Sequence, residues 1–111
     1  PQHWYDVSMG SSEAHVALTI NSREDVLGCE IYINKNKELF QFLQERKDEI
    51  EKEIGEQADW VDAAVASRIK FKKGVSNVFS QSEAEGYFAW LYEKTVLLQK
   101  VFSRHLREFY K

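Results

Sequence analysis

The sequence predicts an α+β fold: an antiparallel sheet of four to five strands with two helices packed on one face, in the order β-β-β-α-β-α. Three observations predict it. Up to Ile33 apolar residues alternate at a period of two, the signature of strands with one packed face. From Lys37 to Ile54, and again from about Ser82 to Phe109, the period lengthens to near 3.6. Between those helical stretches, Ser67 to Lys72 alternates again.

Taken in order, Tyr5, Val7 and Met9 alternate against Trp4, Asp6 and Ser8 in a first short strand, and Gly10-Ser11-Ser12-Glu13 turns the chain. The stretch from Val16 to Ile33 is the organising hairpin. Val16, Leu18 and Ile20 share one parity against His15, Ala17, Thr19 and Asn21. Leu27, Cys29, Ile31 and Ile33 share one parity against Gly28, Glu30 and Tyr32, and Ser22-Arg23-Glu24-Asp25 is the polar connection. Asn36 or Asn34 is placed to cap the first helix, which carries Leu39, Leu43, Ile50 and Ile54 on one stripe, with Phe40 and Phe42 widening it. Lys47 interrupts that stripe, and Gly55 is suited to end the helix in a left-handed conformation. The far side of this helix holds Glu45, Asp48, Glu49, Glu51 and Glu53 and reads as a solvated face. Ala58 to Val61 is a weak strand because Asp59 and Asp62 flank its apolar pair, whereas Ile69 and Phe71 against Arg68, Lys70 and Lys72 make a clear one. Val75–Gln81 is the loosest stretch. In the last helix Phe88, Leu91, Thr95, Leu98, Phe102, Leu106 and Phe109 step by three or four residues. Such a helix is roughly 40 Å long at 1.5 Å per residue, so it either overhangs the sheet or meets a partner.

Composition bounds the function. With 111 residues, 43% hydrophobic and 14% aromatic, the chain can bury a core without staples and does not read as disordered. No apolar run approaches the roughly 20 residues of a membrane span. One cysteine excludes an internal disulfide and any multi-cysteine metal site, which suits a reducing, cytoplasmic setting. Cys29 lies on the apolar parity and His15 on the opposite one, so they do not form a nucleophile pair. His3, His15 and His105 have no ligand spacing, and the glycines form no phosphate loop. A metal-dependent nuclease needs carboxylates on adjacent strands with a nearby lysine; Glu45-Arg46-Lys47 lies mid-helix and Glu30 lacks the lysine. No catalytic residue, cofactor or metal is therefore expected.

Charge is distributed unevenly. Residues 1–67 hold 6 basic and 14 acidic side chains, a balance of −8, whereas 68–111 hold 9 and 4, a balance of +5, together giving the chain's −3. Arg68, Lys70, Lys72 and Lys73 concentrate on one short segment. This is either a contact to nucleic-acid phosphates or an edge strand kept soluble by lysines. Trp4, Trp60 and Trp90 with Tyr32 make either a stacking surface or core and rim packing.

Leu27-Gly28-Cys29-Glu30-Ile31-Tyr32-Ile33, Ala66-Ser67-Arg68-Ile69 and Trp90-Leu91-Tyr92-Glu93-Lys94, within a likeness over about residues 3–108, resemble the prokaryotic domain-of-unknown-function family 4268. The resemblance implies an accessory role at the C-terminal end of larger proteins, often behind segments resembling restriction-endonuclease-like nucleases, and carries no catalytic residue. Together with a start at Pro1 in place of an initiator Met, it implies one domain, residues 1–111, of a longer protein. Two roles are expected. One is a DNA-associated module contacting DNA through Arg68, Lys70, Lys72 and Lys73. The other is a protein-interaction or homodimerisation module using the C-terminal helix, with Leu97 and Val101 as spare apolar residues.

Overall fold

Two adjacent β-rich runs of opposite parity dictate a hairpin, and the chain forms it with Ala14–Asn21 (β2) antiparallel to Val26–Asn34 (β3). In the turn Asn21 Oδ1 accepts from the backbone N–H groups of Arg23 and Glu24, both at 3.1 Å, and Asp25 takes a positive φ of 53°. The computed structural model describes the backbone of residues 2–9 and 11–111, and the side chains of 8, 9 and 11–111. Gln2–Ser8 (β1) flanks β2, so the sheet begins as the expected meander; the side-chain alternation expected along β1 lies outside the described residues. Ala66–Gly74 (β5) pairs with the other edge of β3, and Asp59–Asp62 (β4) pairs outside β5. The sheet is antiparallel throughout, in the order β1-β2-β3-β5-β4.

The helical region between β3 and β4 is two helices, Lys37–Glu45 (α1) and Lys47–Ile54 (α2), and Ala84–Phe109 is α3. The order is therefore β-β-β-α-α-β-β-α, which corrects the predicted order at two points. The weak run around Trp60 is a real strand, because Trp60 pairs with Ile69 and lies tilted against Phe40 with ring centroids 6.1 Å apart. The single helix expected from Lys37 to Ile54 breaks at Arg46. There the backbone (φ −103°, ψ 17°) leaves the helical path, Arg46 N–H donates to Leu43 O at 2.9 Å, and Arg46 O restarts the ladder with Ile50 N–H at 2.9 Å. The break suits the side chain. The Arg46 guanidinium stacks 4.2 Å over the Phe42 ring and reaches His105 Nδ1 at 3.3 Å.

Ends of elements follow their local chemistry. Asn36 Oδ1 accepts from Leu39 N–H at 2.9 Å and caps α1, and Gly55 ends α2 at φ 90°. Asp25 holds residues 75–78 against the hairpin: its carbonyl accepts from Val75 N–H and its side chain from Val78 N–H, both at 2.9 Å. The loop expected to be loosest is thus tied at its first half.

All three helices lie on one side of the sheet. The core joins Val16, Cys29, Ile31, Ile33, Ile69 and Phe71, which share one face of the sheet, to Leu39, Phe40, Leu43 and Ile50 of α1 and α2 and to Leu98 and Phe102 of α3. Each such buried side chain contributes about 1.5–3 kcal/mol. Among the described residues no helix covers the other face of the sheet. Among the described residues no helix is long and apolar enough to cross a membrane.

Candidate functional site

Strand parity decides what the uncovered face carries. Register sets His15, Ala17 and Thr19 of β2 beside Tyr32, Glu30 and Gly28 of β3, which in turn pair with Arg68, Lys70 and Lys72 of β5. Three of the four predicted basic residues therefore share this face. Lys73 does not: it pairs with Leu27 and has the opposite parity, exposed only because the strand is ending. Acids lie among the bases. Arg68 Nε is 3.7 Å from Glu30 Oε2, and Lys72 Nζ is 3.1 Å from Asp59 Oδ2. Lys70 lies in register between Glu30 and Asp59. A strand that looks strongly basic in sequence is largely compensated by its two neighbours.

Glu30 is the unusual group here. It sits at the centre of the sheet, 4% exposed, and its Oε2 is buried without a hydrogen-bond donor. Burial pushes its carboxyl above the ordinary 4.5, against the pull of Arg68, Lys70 and His15. Beside it opens a polar cavity of about 180 Å³, lined also by Thr19, Asn21, Lys70 and Lys72. Gly28 keeps this region open to Thr19: a Cβ there would stand 2.1 Å from Thr19 Oγ1. Next to it Tyr32 stacks on His15 (centroids 5.1 Å apart, planes 26° apart), with Arg68 5.7 Å above the Tyr32 ring. Of the aromatic group suggested by sequence, Trp60 and Trp90 instead pack against the core, Trp60 donating from Nε1 to Glu51 Oε2 at 3.1 Å. The Trp4 side chain lies outside the described residues.

On the helical side, α2 and α3 bring together Glu49, Glu53 and His105, whose ligand atoms lie within 4.8 Å of one another. Sequence reading missed this convergence, because His105 lies far along the chain and the glutamates merged into an acidic face. A cation fits poorly. Arg46 donates to Nδ1, so Nε2 carries the ring proton and donates to Glu53 Oε1 at 2.9 Å, while Arg104 pairs with the same carboxylate. Desolvation, helped by Arg104 and Arg46, holds His105 below its ordinary 6.5 despite Glu49 and Glu108. Cys29 is equally quiet. It lies in the core, 3.6 Å from Thr95 Oγ1, and burial pushes its thiol up to about 11.

The third feature is apolar. An apolar groove of about 800 Å³ runs between the first half of α3 and β2, lined by Leu18, Ile20, Phe88, Leu91, Tyr92 and Val96. Phe88 is 67%, Tyr92 71% and Val96 45% exposed, at i, i+4 and i+8 on one helical face. This corrects two expectations. Phe88 is not on the core stripe, and Val101 is not spare, since it is buried in the core and Leu97 packs against it.

The sequence pattern described as "Domain of unknown function (DUF4268)" matches residues 1–106. The chain belongs to this family. As a DUF4268 domain it is an uncharacterised module with an α+β fold, and the family description assigns no reaction. No curated protein and no solved structure matches the chain.

Proposed function

We propose that this DUF4268 domain is an accessory interaction module of a longer protein, and that it pairs with a second copy of itself through the first half of α3. The exposed Phe88-Tyr92-Val96 stripe carries the reading, since a stripe this apolar is costly to leave wet. Its geometry is self-complementary. Two α3 helices crossing antiparallel at Tyr92 set Phe88 against Val96 of the second copy and Tyr92 against Tyr92 on a two-fold axis. Charge agrees: Glu85 lies on the stripe's side near the N-terminal end and Lys100 near the other, so the antiparallel arrangement brings them together across the pair. Opposed helix dipoles favour the same arrangement. Light scattering at rising concentration tests it. The mass should climb from 13.0 kDa toward twice that value, and Tyr92→Glu should hold it at the monomer. A wild-type chain that remains monomeric at high concentration removes this reading.

Contact with DNA is the second reading, supported by Arg68, Lys70 and Lys72 sharing a face that no helix covers beside the Tyr32 ring. Compensation by Glu30 and Asp59 weakens it, because phosphate affinity follows the net positive charge that meets the backbone. Fluorescence anisotropy with labelled duplex DNA decides the matter. Binding that falls steeply with salt and is lost on neutralising Arg68, Lys70, Lys72 and Lys73 supports it. No binding at low salt removes it.

A further inference from the structure

The pairing stripe of α3 leads into a second opening. A cavity of about 380 Å³ lies between the C-terminal end of α3 and the turn that joins β1 to β2, lined in part by Met9, Ser103, Leu106, Arg107 and Tyr110. Its walls are held: Tyr110 donates its hydroxyl to Glu13, and Gln99 Nε2 donates to Ser8 O at 3.1 Å. Helical spacing makes the cavity continuous with the stripe. From Val96 the same side of α3 runs on through Gln99 and Ser103 to Leu106 and Tyr110, in steps of three or four.

The loop before α3 supplies a matching projection. Phe79 is 71% exposed, yet the backbone around it is pinned. Asp25 holds Val75 and Val78, Asn77 Oδ1 accepts from Phe79 N–H at 2.9 Å, and Asn77 O accepts from Ser80 N–H at 3.0 Å. A large ring held out on an ordered loop suits an interface anchor, because its ordering is complete before a partner arrives. A further turn, Glu83 N–H to Ser80 O at 3.3 Å, carries the chain into α3. At about 2 Å per residue, such turns set Phe79 roughly 10 Å ahead of Ala84. In an antiparallel pair centred on Tyr92, Ala84 faces Lys100 of the second copy. Moving roughly 10 Å further along that helix, at about 1.5 Å per residue, reaches Leu106 and Arg107, which line the cavity.

We infer that Phe79 of each copy seats its ring in this cavity of the other copy, giving the pair two identical anchors flanking the central stripe. The inference rests on the α3 pairing proposed above and names what fills the cavity. Met9 and Leu106 give the ring apolar contact, and the Arg107 guanidinium meets its face.

Sedimentation equilibrium of the full chain tests the anchor. Phe79→Ala should raise the Kd of the pair about tenfold or more with the circular dichroism spectrum unchanged. Ser103→Trp, which fills the cavity from its own wall, should weaken pairing likewise. A chain carrying both Phe79→Cys and Ser103→Cys reads the contact directly. Within one copy these positions lie roughly 40 Å apart, too far for a disulfide, so mild oxidation should give a covalent pair of twice 13.0 kDa. Phe79→Cys alone should give none, since Cys29 is buried. If the wild type pairs but Phe79→Ala pairs as tightly, or the double variant yields no covalent pair, the anchor is overturned and the α3 pairing stands. A wild type that stays monomeric overturns both.

Discussion

Gly28 and Thr19 face each other across the β2–β3 register so closely that the glycine has no room for a methyl group. Gly28→Ala should therefore destabilise the domain by about 1–3 kcal/mol, and Thr19→Ala in the same chain should recover much of the loss, because the atom an added Cβ would strike is the hydroxyl Oγ1. Chemical denaturation of the two single variants and the double variant measures the coupling; additive losses would contradict it. His105 makes a separate prediction. Its folded pKa lies below the unfolded 6.5, so between those values the unfolded chain binds the extra proton and stability falls as pH drops through that window. Glu30 acts with the opposite sign, since a carboxyl raised above 4.5 in the fold favours folding as pH falls toward that value. Comparing wild type with His105→Gln isolates the histidine: the variant should lose the downward slope below pH 6.5, and equal slopes would count against the buried neutral ring. Several residue roles were legible. The Asn36 cap, the Gly55 stop, the inward Cys29 and the outward His15 all follow from local chemistry or strand parity. Glu30 was not, because a polar residue on the polar parity of a strand gives no sign that its neighbours will bury it.

Among the elements, periodicity located the central hairpin, the strand around Ile69 and the last helix; it left the strand around Trp60 weak and erred where two basic residues interrupt a stripe. Arg46 and Lys47 both fall where an unbroken helix would put them near the core. The chain resolves this by breaking at Arg46, which sends its guanidinium to Phe42 and His105 and leaves Lys47 exposed. α3 shows the complementary limit. A stripe of steps by three and four does not reveal which of its members the rest of the fold covers, so Phe88 looked buried and Val101 spare. Thermal and chemical unfolding separate the two positions. Val101→Ala should cost about 2 kcal/mol, whereas Phe88→Ala should stay within about 0.5 kcal/mol of the parent. A large loss at Phe88 would mean that its ring is packed after all.

At the scale of the molecule, charge and apolar surface are segregated along one long helix, across a domain extending 45 × 27 × 23 Å. The basic excess that sequence places in residues 68–111 divides between β5, where Glu30 and Asp59 answer it, and the second half of α3. That division could not be seen along the chain, because β4, β3 and β5 meet only once the sheet is assembled. It shifts the weight from the basic strand to the helix that carries Phe88, Tyr92 and Val96. Antiparallel pairing at Tyr92 fixes two distances in the pair. Cys29 is buried, so a thiol introduced by Glu93→Cys or Lys111→Cys takes a spin label selectively. With helix axes about 8–10 Å apart, labels at position 93 of the two copies should lie within about 25 Å, and labels at 111 roughly 60 Å apart. Dipolar spectroscopy of both labelled chains is the most direct measurement. A short distance at 93 with a long one at 111 is the predicted result. No coupling at 93, or a short distance at 111, would contradict self-pairing through α3.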